Sequence, residues 1–171
     1  MIVPTISTQR LTLRPLTKAT QRQVDWLRDK EVTKFSEQRH KEHTLSTQNR
    51  YVSGFCGYLW GIYTVKSGEH IGNISAEVDH PNNVADVGIM IGFMNVWGQG
   101  YGFEAWLAAT NWLLDQRDGG QIRKLEAGCA AANIPMKRIL EKSRFVLEGE
   151  RKNKFIIDHA PVGALLYGRF K

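Results

Sequence analysis

The chain has 171 residues, of which 42% are hydrophobic, and 23 lysines and arginines against 17 acidic residues give it a formal net charge of +6. Residues 1–171 suffice for a single domain with its own hydrophobic core, which excludes disordered chains and disulfide-stapled mini-proteins. The apolar runs fall far short of the roughly 20 residues of a membrane-spanning helix, and the N-terminus lacks the pattern of a secretory signal. We therefore expect a cytoplasmic protein without membrane contact.

The two cysteines, Cys56 and Cys129, do not have the spacing of a disulfide framework or of a zinc site, so we expect two buried thiols and no bound metal. His40 and His43 lie three residues apart, but no third metal ligand is evident. The pI of about 9.4 raises nucleic acid as a partner. Because the positive charges are scattered along the chain, a polyanionic small molecule explains their sign equally well, and nucleic acid is not favoured.

The first half of the chain predicts a strand, then helices, then a three-stranded meander. Residues 10–16 alternate apolar and polar side chains, and the polar stretch 18–54 fits one or two amphipathic helices. The apolar runs 58–65, 70–78 and 84–92 are separated by turn-forming clusters, which indicates antiparallel strands. In the middle run, the residues predicted on the polar face are Asn73, Ser75, Glu77 and Asp79.

The second half predicts a helix, a crossover strand, a short helix and two closing strands. Apolar residues recur at helical spacing over 103–117, and the segment 121–130 can pair parallel to an earlier strand. Asn133 is placed to cap a short helix, and 145–152 and 161–169 have the pattern of strands. These elements predict an α/β (α+β) fold with a mixed, mostly antiparallel twisted sheet of about six to seven strands flanked by about four helices.

A glycine-rich turn, WGQGYG at residues 97–102, stands between the third strand of the meander and the following helix. Unpaired backbone N–H groups and the positive end of the helix dipole meet at such a junction, and glycine lets the backbone approach an anion closely. The turn therefore suits a phosphate group. It is not a P-loop, and the antiparallel strands before it argue against a dinucleotide-binding unit. A tight structural turn is the alternative interpretation.

Several motifs around this turn resemble, in order, those of the GNAT acetyltransferase superfamily. They are ADVGIMIG at 85–92, VWGQGYGFEAW at 96–106, AAN at 131–133, ILEK at 139–142 and FVLEG at 145–149. The opening TQRLTLRPL at 8–16 is similar to the first strand of the branch that includes ribosomal-protein, polyamine and amino-sugar acetyltransferases. The resemblance covers essentially the whole chain and implies a GNAT fold with acetyl-CoA as co-substrate.

The resemblance also implies where acetyl-CoA binds. In the family, the glycine-rich turn holds the pyrophosphate through backbone amides, and the pantetheine lies beside the preceding strand and wedges the sheet open. A later asparagine bonds the cofactor or the amine, and cations after it reach the adenosine phosphate. The cofactor-binding residues implied here are Ile89, Met90, Ile91, Trp97, Gly98, Gln99, Gly100, Tyr101, Gly102, Asn133 and Arg138.

Acetyl transfer to an amine requires a group that takes a proton from the alkylammonium form, whose pKa is about 10. Asp86 matches an acidic position common in this branch, and Glu77 lies on the polar face where an acceptor could bind, so these two are the first candidates. Glu126 and Asp79 are further candidates. For each of the four, an exposed or ion-paired strand carboxylate stays open as the alternative. Glu104, in the first turn of a helix, is expected to be structural.

The resemblance implies a backbone N–H near Met90 or Ile91 as donor to the oxyanion. Many relatives protonate the leaving thiolate with a tyrosine just before a Glu-Lys pair, or with a serine three residues after the asparagine. In this chain those positions hold Leu140 and Met136. Asn133 is the matching polar residue that remains, and it is the third predicted catalytic residue.

The sequence thus predicts acetyl-CoA-dependent N-acetylation of a primary amine by direct attack in a ternary complex. A small-molecule acceptor such as an amino sugar, sugar nucleotide or polyamine is favoured, with the enzyme a monomer or homodimer. Two alternatives stay open at this point. One is an enzyme that acetylates protein N-termini, and the other is an acetyl-CoA-binding module that is weakly catalytic because the usual proton donors are missing.

Overall fold

Eight strands form one mixed sheet in the computed structural model, which describes residues 2–115 and 122–171. The strands are β1 (Ile6–Ser7), β2 (Leu11–Pro15), β3 (Gly57–Thr64), β4 (His70–Asp79), β5 (Val84–Ile91), β6 (Lys124–Ala130), β7 (Val146–Ile157) and β8 (Ala160–Phe170). Their spatial order is β1-β2-β3-β4-β5-β6-β8-β7. Neighbours are antiparallel except β5 and β6, which run parallel because a helix connects them.

Helices cover both faces of this sheet. Within the described residues they are α1 (Gln21–Arg28), α2 (Lys30–Thr33), α3 (Leu45–Gly54), α4 (Tyr101–Leu114) and α5 (Ile134–Lys142), with short 3-10 turns at Glu37–His40 and Met94–Val96. The first three begin at side-chain caps from Thr20, Asp29 and Thr44, which accept hydrogen bonds from first-turn N–H groups. None of the described helices is long and apolar enough to cross a membrane.

The α/β fold class predicted from the sequence is confirmed, and the sheet is larger than expected. The two-residue β1 is too short to show a hydrophobic period. The closing hairpin runs past the predicted 145–152 because a bulge at Asn153, with φ of 51°, interrupts the alternation of β7. The helix predicted over 103–117 ends at Leu114, and residues 116, 117 and 121 of the predicted elements lie outside the described residues.

The hydrophobic core lies between the sheet and α4. Ile74 and Ala76 of β4 point into it, as their alternation predicts, and Trp106 of α4 is fully buried against them. The Trp106 indole N–H donates to the Ser143 hydroxyl at 2.9 Å, so this buried polar group is satisfied and ties α4 to the end of α5. The opposite, polar face of β4 and β5 is left for other contacts.

The expectation of two buried thiols is wrong for one of them. Cys56 is exposed in the connection between α3 and β3, where no periodic pattern indicates which way a side chain points. Cys129 in β6 is half-buried, and burial raises the pKa of its thiol to about 11. The Cys129 thiol is therefore protonated and weakly nucleophilic at neutral pH.

The end of α5 contains a strained residue. Asn133 caps the start of this helix by accepting a hydrogen bond from the Met136 N–H at 3.2 Å, as its position predicts. After the helix, Arg144 adopts φ of 65°, and the Phe145 N–H closes the turn on the Leu140 carbonyl at 3.0 Å. The left-handed conformation costs a non-glycine residue roughly 1–2 kcal/mol.

We expect Arg144→Gly to raise the free energy of unfolding by about 1 kcal/mol, because glycine adopts this conformation without a Cβ clash. The matched control is Lys142→Gly, two residues earlier inside α5, which should lower it by about 1 kcal/mol. Urea denaturation of both variants measures the difference. Equal destabilisation by the two glycines would contradict the strain assigned to Arg144.

Candidate functional site

The glycine-rich turn joins the end of β5 to the start of α4. Gly98 and Gly100 have φ of 75° and 82°, in the left-handed region that favours glycine, and Gly100 stands at the N-cap of α4. The Trp97 indole N–H donates to the Ile91 carbonyl at 2.8 Å. This bond fixes the turn to the last residue of β5.

Arg10 braces the turn from the neighbouring strand segment. Its guanidinium donates to the Gln99 carbonyl at 3.0 Å, lies 4.4 Å from the centroid of the Tyr101 ring, and pairs with Glu104 at 2.6 Å. Glu104 also accepts from the Thr8 hydroxyl and the Arg10 backbone N–H. Although partial burial opposes it, these hydrogen bonds and the charge of Arg10 lower the pKa of Glu104. Glu104 thus has the structural role that its position predicts.

The turn presents a row of unused backbone donors. Five N–H groups here meet no acceptor within the described ranges: those of Gly98, Gly100, Tyr101, Gly102 and Phe103. They lie at the positive end of a 14-residue helix, and Arg138 adds an exposed cation from the adjacent α5. Such an arrangement fits phosphate groups.

The sheet opens beside this turn. β5 and β6 pair only from Val84 to Asp86 and from Lys124 to Glu126, whereas β6 pairs with β8 along its whole length. Beyond Asp86 the edge of β5 therefore faces a gap. Gly92 donates to the Ile71 carbonyl, so by the alternation of an antiparallel ladder the N–H groups of Ile91 and Ile89 point away from β4, towards the gap.

A cavity of about 700 Å³ lies on the polar face where the strands diverge. We call it the first cavity. Its floor is formed by Ser75, Glu77, Asp86 and Gly88 of β4 and β5. Its walls come from α3, the closing hairpin and the segment after α2, and include Phe35, Arg50, Tyr51, Phe55, Arg151, Lys154 and Phe155.

The floor brings together the two acids that the sequence analysis places first. Glu77 is opposite Asp86 across β4 and β5, and Glu126 is opposite Asp86 across β5 and β6. Partial desolvation raises the pKa of the Asp86 carboxyl above its ordinary value, and the charges of Glu126 and Glu77 raise it further. Asp86 is therefore a stronger base than an ordinary aspartate.

The other two acidic candidates do not line this cavity. Asp79 accepts hydrogen bonds from Asn82 in the turn after β4. Glu126 is paired with Lys124 at 2.8 Å on the exposed surface. Both carboxylates thus have local structural partners, as the alternative interpretation of these acids expects.

Comparison with known proteins identifies the family. Residues 10–146 match the family model described as an acetyltransferase (GNAT) domain. The chain belongs to the GNAT acetyltransferase family. It is thus an N-acetyltransferase that uses acetyl-CoA. A search of curated proteins gives no match.

Solved GNAT structures show the same fold. A GNAT-family acetyltransferase from Bacillus anthracis has a TM-score of 0.79 at 17% identity, covering 98% of each chain. A ribosomal L7/L12 alpha-N-protein acetyltransferase in complex with coenzyme A has a TM-score of 0.78 at 17% identity and 98% coverage of each. The microcin C7 self-immunity acetyltransferase, in complex with acetyl-CoA and AMP, has a TM-score of 0.76 at 17% identity, covering 96% of this chain and 94% of that one.

A second cavity of about 410 Å³ adjoins the first in this GNAT fold, and the two share Ser36, Tyr51, Ser75 and Gly88. It lies between α1, α3 and the end of β5. Gln23 of α1 lines it and is 5% exposed, yet its Oε1 accepts no hydrogen bond from any described residue. Because an unsatisfied buried oxygen costs about 1–3 kcal/mol, an N–H or O–H group of a ligand would bind here favourably.

Sequence reasoning missed Gln23 and Tyr51. Both come from 18–54, where the sequence predicts amphipathic helices without fixing their boundaries. A glutamine is expected on the solvent face of such a helix, so the pattern does not mark Gln23 as buried. Burial raises the pKa of the Tyr51 hydroxyl, and the charge of Glu77 raises it further while a hydrogen bond with Ser75 opposes this. Tyr51 is therefore a protonated donor at neutral pH. His43, which also lines the second cavity, bonds Gln38 and Gln48 through its two ring nitrogens and is structural.

Gln23→Met should raise the free energy of unfolding by about 1 kcal/mol, because it removes a buried oxygen that has no donor. The same variant should raise the KM for a substrate whose N–H or O–H group binds the Gln23 Oε1 in the second cavity. Gln48→Met is the matched control: its amide bonds His43 at 3.1 Å, so this variant should be destabilised. Denaturant titration and steady-state kinetics measure both effects. A Gln23→Met protein that is less stable than the wild type would show that the oxygen is satisfied internally.

Proposed function

We propose that the chain transfers the acetyl group of acetyl-CoA to the primary amine of a small molecule. The observation that carries this proposal is the first cavity, which places Asp86 and Glu77 where β5 and β6 diverge. Its volume of about 700 Å³ suits a ligand of ordinary metabolite size, and α3, the closing hairpin and the segment after α2 form its walls. An acceptor in this cavity would meet the co-substrate through the gap in the sheet.

The residues around the gap fit acetyl-CoA. The free N–H groups of the turn from Trp97 to Gly102 would hold the pyrophosphate, and Arg138 would bind the adenosine phosphate. The edge of β5 at Ile89, Met90 and Ile91 would pair with the pantetheine amides as a further strand would. Bound acetyl-CoA supplies an acetyl group activated as a thioester.

The chain must then hold the amine and accept its proton. Asp86 takes this proton, directly or through a water molecule, and Glu77 beside it favours an ammonium group in the cavity. As the amine nitrogen bonds to the carbonyl carbon, an N–H of the β5 edge stabilises the oxyanion. The carbon–sulfur bond then breaks, the amide nitrogen loses its remaining extra proton to solvent, and CoA leaves as a thiolate that takes a proton from water. The direction of the N–H groups favours Ile91 over Met90. Asn133 uses Oδ1 to cap α5, which leaves its amide nitrogen to donate to a bound ligand.

Protein N-termini are the alternative acceptor. The fold neighbours include ribosomal-protein acetyltransferases, which supports this alternative. A panel of amines and N-terminal peptides, assayed by release of free CoA, decides between them. Turnover of peptides but not of small amines would overturn the proposal, and binding of acetyl-CoA without any turnover would leave a binding module.

Asp86→Asn should lower kcat/KM about 100-fold or more, because the amine loses its proton acceptor. The control Glu126→Gln keeps the Asp86 carboxyl but removes the neighbouring charge of Glu126, which raises the pKa of Asp86. In this control the acid limb of the pH profile of kcat/KM should move to lower pH, with the plateau retained. If Glu126→Gln lost the plateau of kcat/KM and Asp86→Asn had little effect, Glu126 rather than Asp86 would be the proton acceptor.

The raised pKa of Asp86 also predicts how the free energy of unfolding depends on pH. The folded-state pKa of Asp86 is raised, so the stability that Asp86 contributes is present below its unfolded-state pKa and is lost as pH rises through the folded-state value. Asp86→Asn should therefore be more stable than the wild type at pH 7, and this difference should vanish in acid. Denaturant titrations at several pH values measure it. A variant less stable at pH 7 would contradict the raised pKa.

Gly100→Ala should weaken acetyl-CoA binding about fivefold or more, because a left-handed alanine costs roughly 1–2 kcal/mol and relaxation would turn the N–H groups of the turn away from the phosphates. Gly68→Ala is the matched control: this glycine has φ of 66° with open space around it, in the turn between β3 and β4. Both variants should lose stability, but only Gly100→Ala should lose affinity in calorimetric titration. Equal affinities would remove the turn from the binding site.

A further inference from the structure

The first cavity contains charges of both signs that the protein does not neutralise. Glu77 and Asp86 lie on its floor, Arg50 projects from α3, and Arg151 and Lys154 project from β7. None of these five side chains takes part in a salt bridge with another residue in 2–115 or 122–171. Elsewhere in the same ranges, oppositely charged side chains do pair, at 2.6 to 2.9 Å. The first cavity therefore holds five charged side chains, of both signs, that are free to contact a ligand.

The cations of β7 reach this cavity because of a bulge. In a regular strand, Arg151 and Lys154 would point to opposite faces, since they are three residues apart. The register of β7 against β8 shifts between Arg151 and Phe155, where Asn153 has φ of 51°. The extra residues of this bulge place both cations on the cavity wall, while Lys152 between them does not line it.

The unpaired charges of the two signs occupy different parts of the cavity. Glu37, which also lines the cavity wall, is neutralised by Arg39 at 2.9 Å. The carboxylates of Glu77 and Asp86 lie on the sheet, beside the gap between β5 and β6. The three cations lie on the walls and are exposed at the rim. Aromatic rings stand among them, from Phe35, Phe55 and Phe155. A ligand that spans the cavity would thus meet a negative floor, an apolar wall and a positive rim.

We propose that the amine acceptor is a small molecule that also carries a negatively charged group, a phosphate or a carboxylate. This inference rests on the proposed function and names its substrate class. The ammonium binds between Glu77 and Asp86, and the anion binds the rim cations Arg50, Arg151 and Lys154. The arrangement selects against polyamines, because a second ammonium at the rim would face like charges.

The test uses amines that differ only at the end remote from the reacting nitrogen. 5-Aminopentanoate, pentylamine and 1,5-diaminopentane present a carboxylate, a methyl group and an ammonium, and glucosamine 6-phosphate against glucosamine tests a phosphate. We expect the anionic member of each series to have a kcat/KM at least about fivefold above the neutral one, with the diamine lowest. The preference should shrink as salt is added.

Variants locate the anion site. The double variant Arg151→Gln with Lys154→Gln should lower kcat/KM for the anionic amines about tenfold and leave the neutral amines unchanged. Lys152→Gln, in the same strand but outside the cavity, is the matched control and should leave every amine unchanged. A loss of similar size for anionic and neutral amines, in a double variant that unfolds at the same denaturant concentration as the wild type, would show that these cations do not bind the anion and would overturn their assignment.

The remaining outcomes are also decisive. Equal or better turnover of pentylamine or 1,5-diaminopentane would overturn the inference but not the proposed function. Preferred turnover of acidic N-terminal peptides over all small amines would overturn both. If acetyl-CoA binds and no amine reacts, the proposed function fails. In that case calorimetric titration of the CoA complex with the same series still decides whether the cavity prefers an amine that carries an anion.

Discussion

The early divergence of β5 from β6 is the constraint on which the rest of the site depends. β6 uses one edge along its whole length for β8 and gives β5 only three residues of parallel pairing. Beyond Asp86, β5 still pairs with β4, but the backbone groups on its other edge, towards β6, are left without a partner strand. Unpaired backbone groups of this kind are satisfied by water or by a ligand. The gap thereby provides an edge for a ligand, and a cavity behind it.

Charged side chains are paired on one side of this gap and unpaired on the other. At the turn, Arg10 and Glu104 neutralise one another and hold the backbone rigid, so the free N–H groups keep their direction before any ligand arrives. In the first cavity, the charges are left unpaired, and Asp86 has a raised pKa. The rigid part suits a phosphate ligand, whereas the unpaired charges of the cavity would contact the acceptor that we propose.

The walls of the first cavity, where we propose that the acceptor binds, come from elements at the surface of the fold. α3, the segment after α2 and β7 carry few buried residues, so their side chains can change without disturbing the core. Two of them, α3 and β7, supply the cations of the first cavity, and α1 supplies Gln23 to the second. A constant sheet with variable walls explains how one fold transfers acetyl groups to different amines.

The sequence by itself determined the fold class, the positions of most strands, the glycine-rich turn and the placement of Glu77 on a polar face, because these follow from local periodicity and turn chemistry. Asp86 was a candidate only through its match to an acidic position of the family branch. The tertiary structure decided which of the acids share a cavity, that Cys56 is exposed, and that Gln23 and Tyr51 of 18–54 face the sheet. It also decided that Arg151 and Lys154 point the same way. The bulge at Asn153 breaks the period that a sequence pattern relies on, and contacts between distant segments leave no periodic trace in either one.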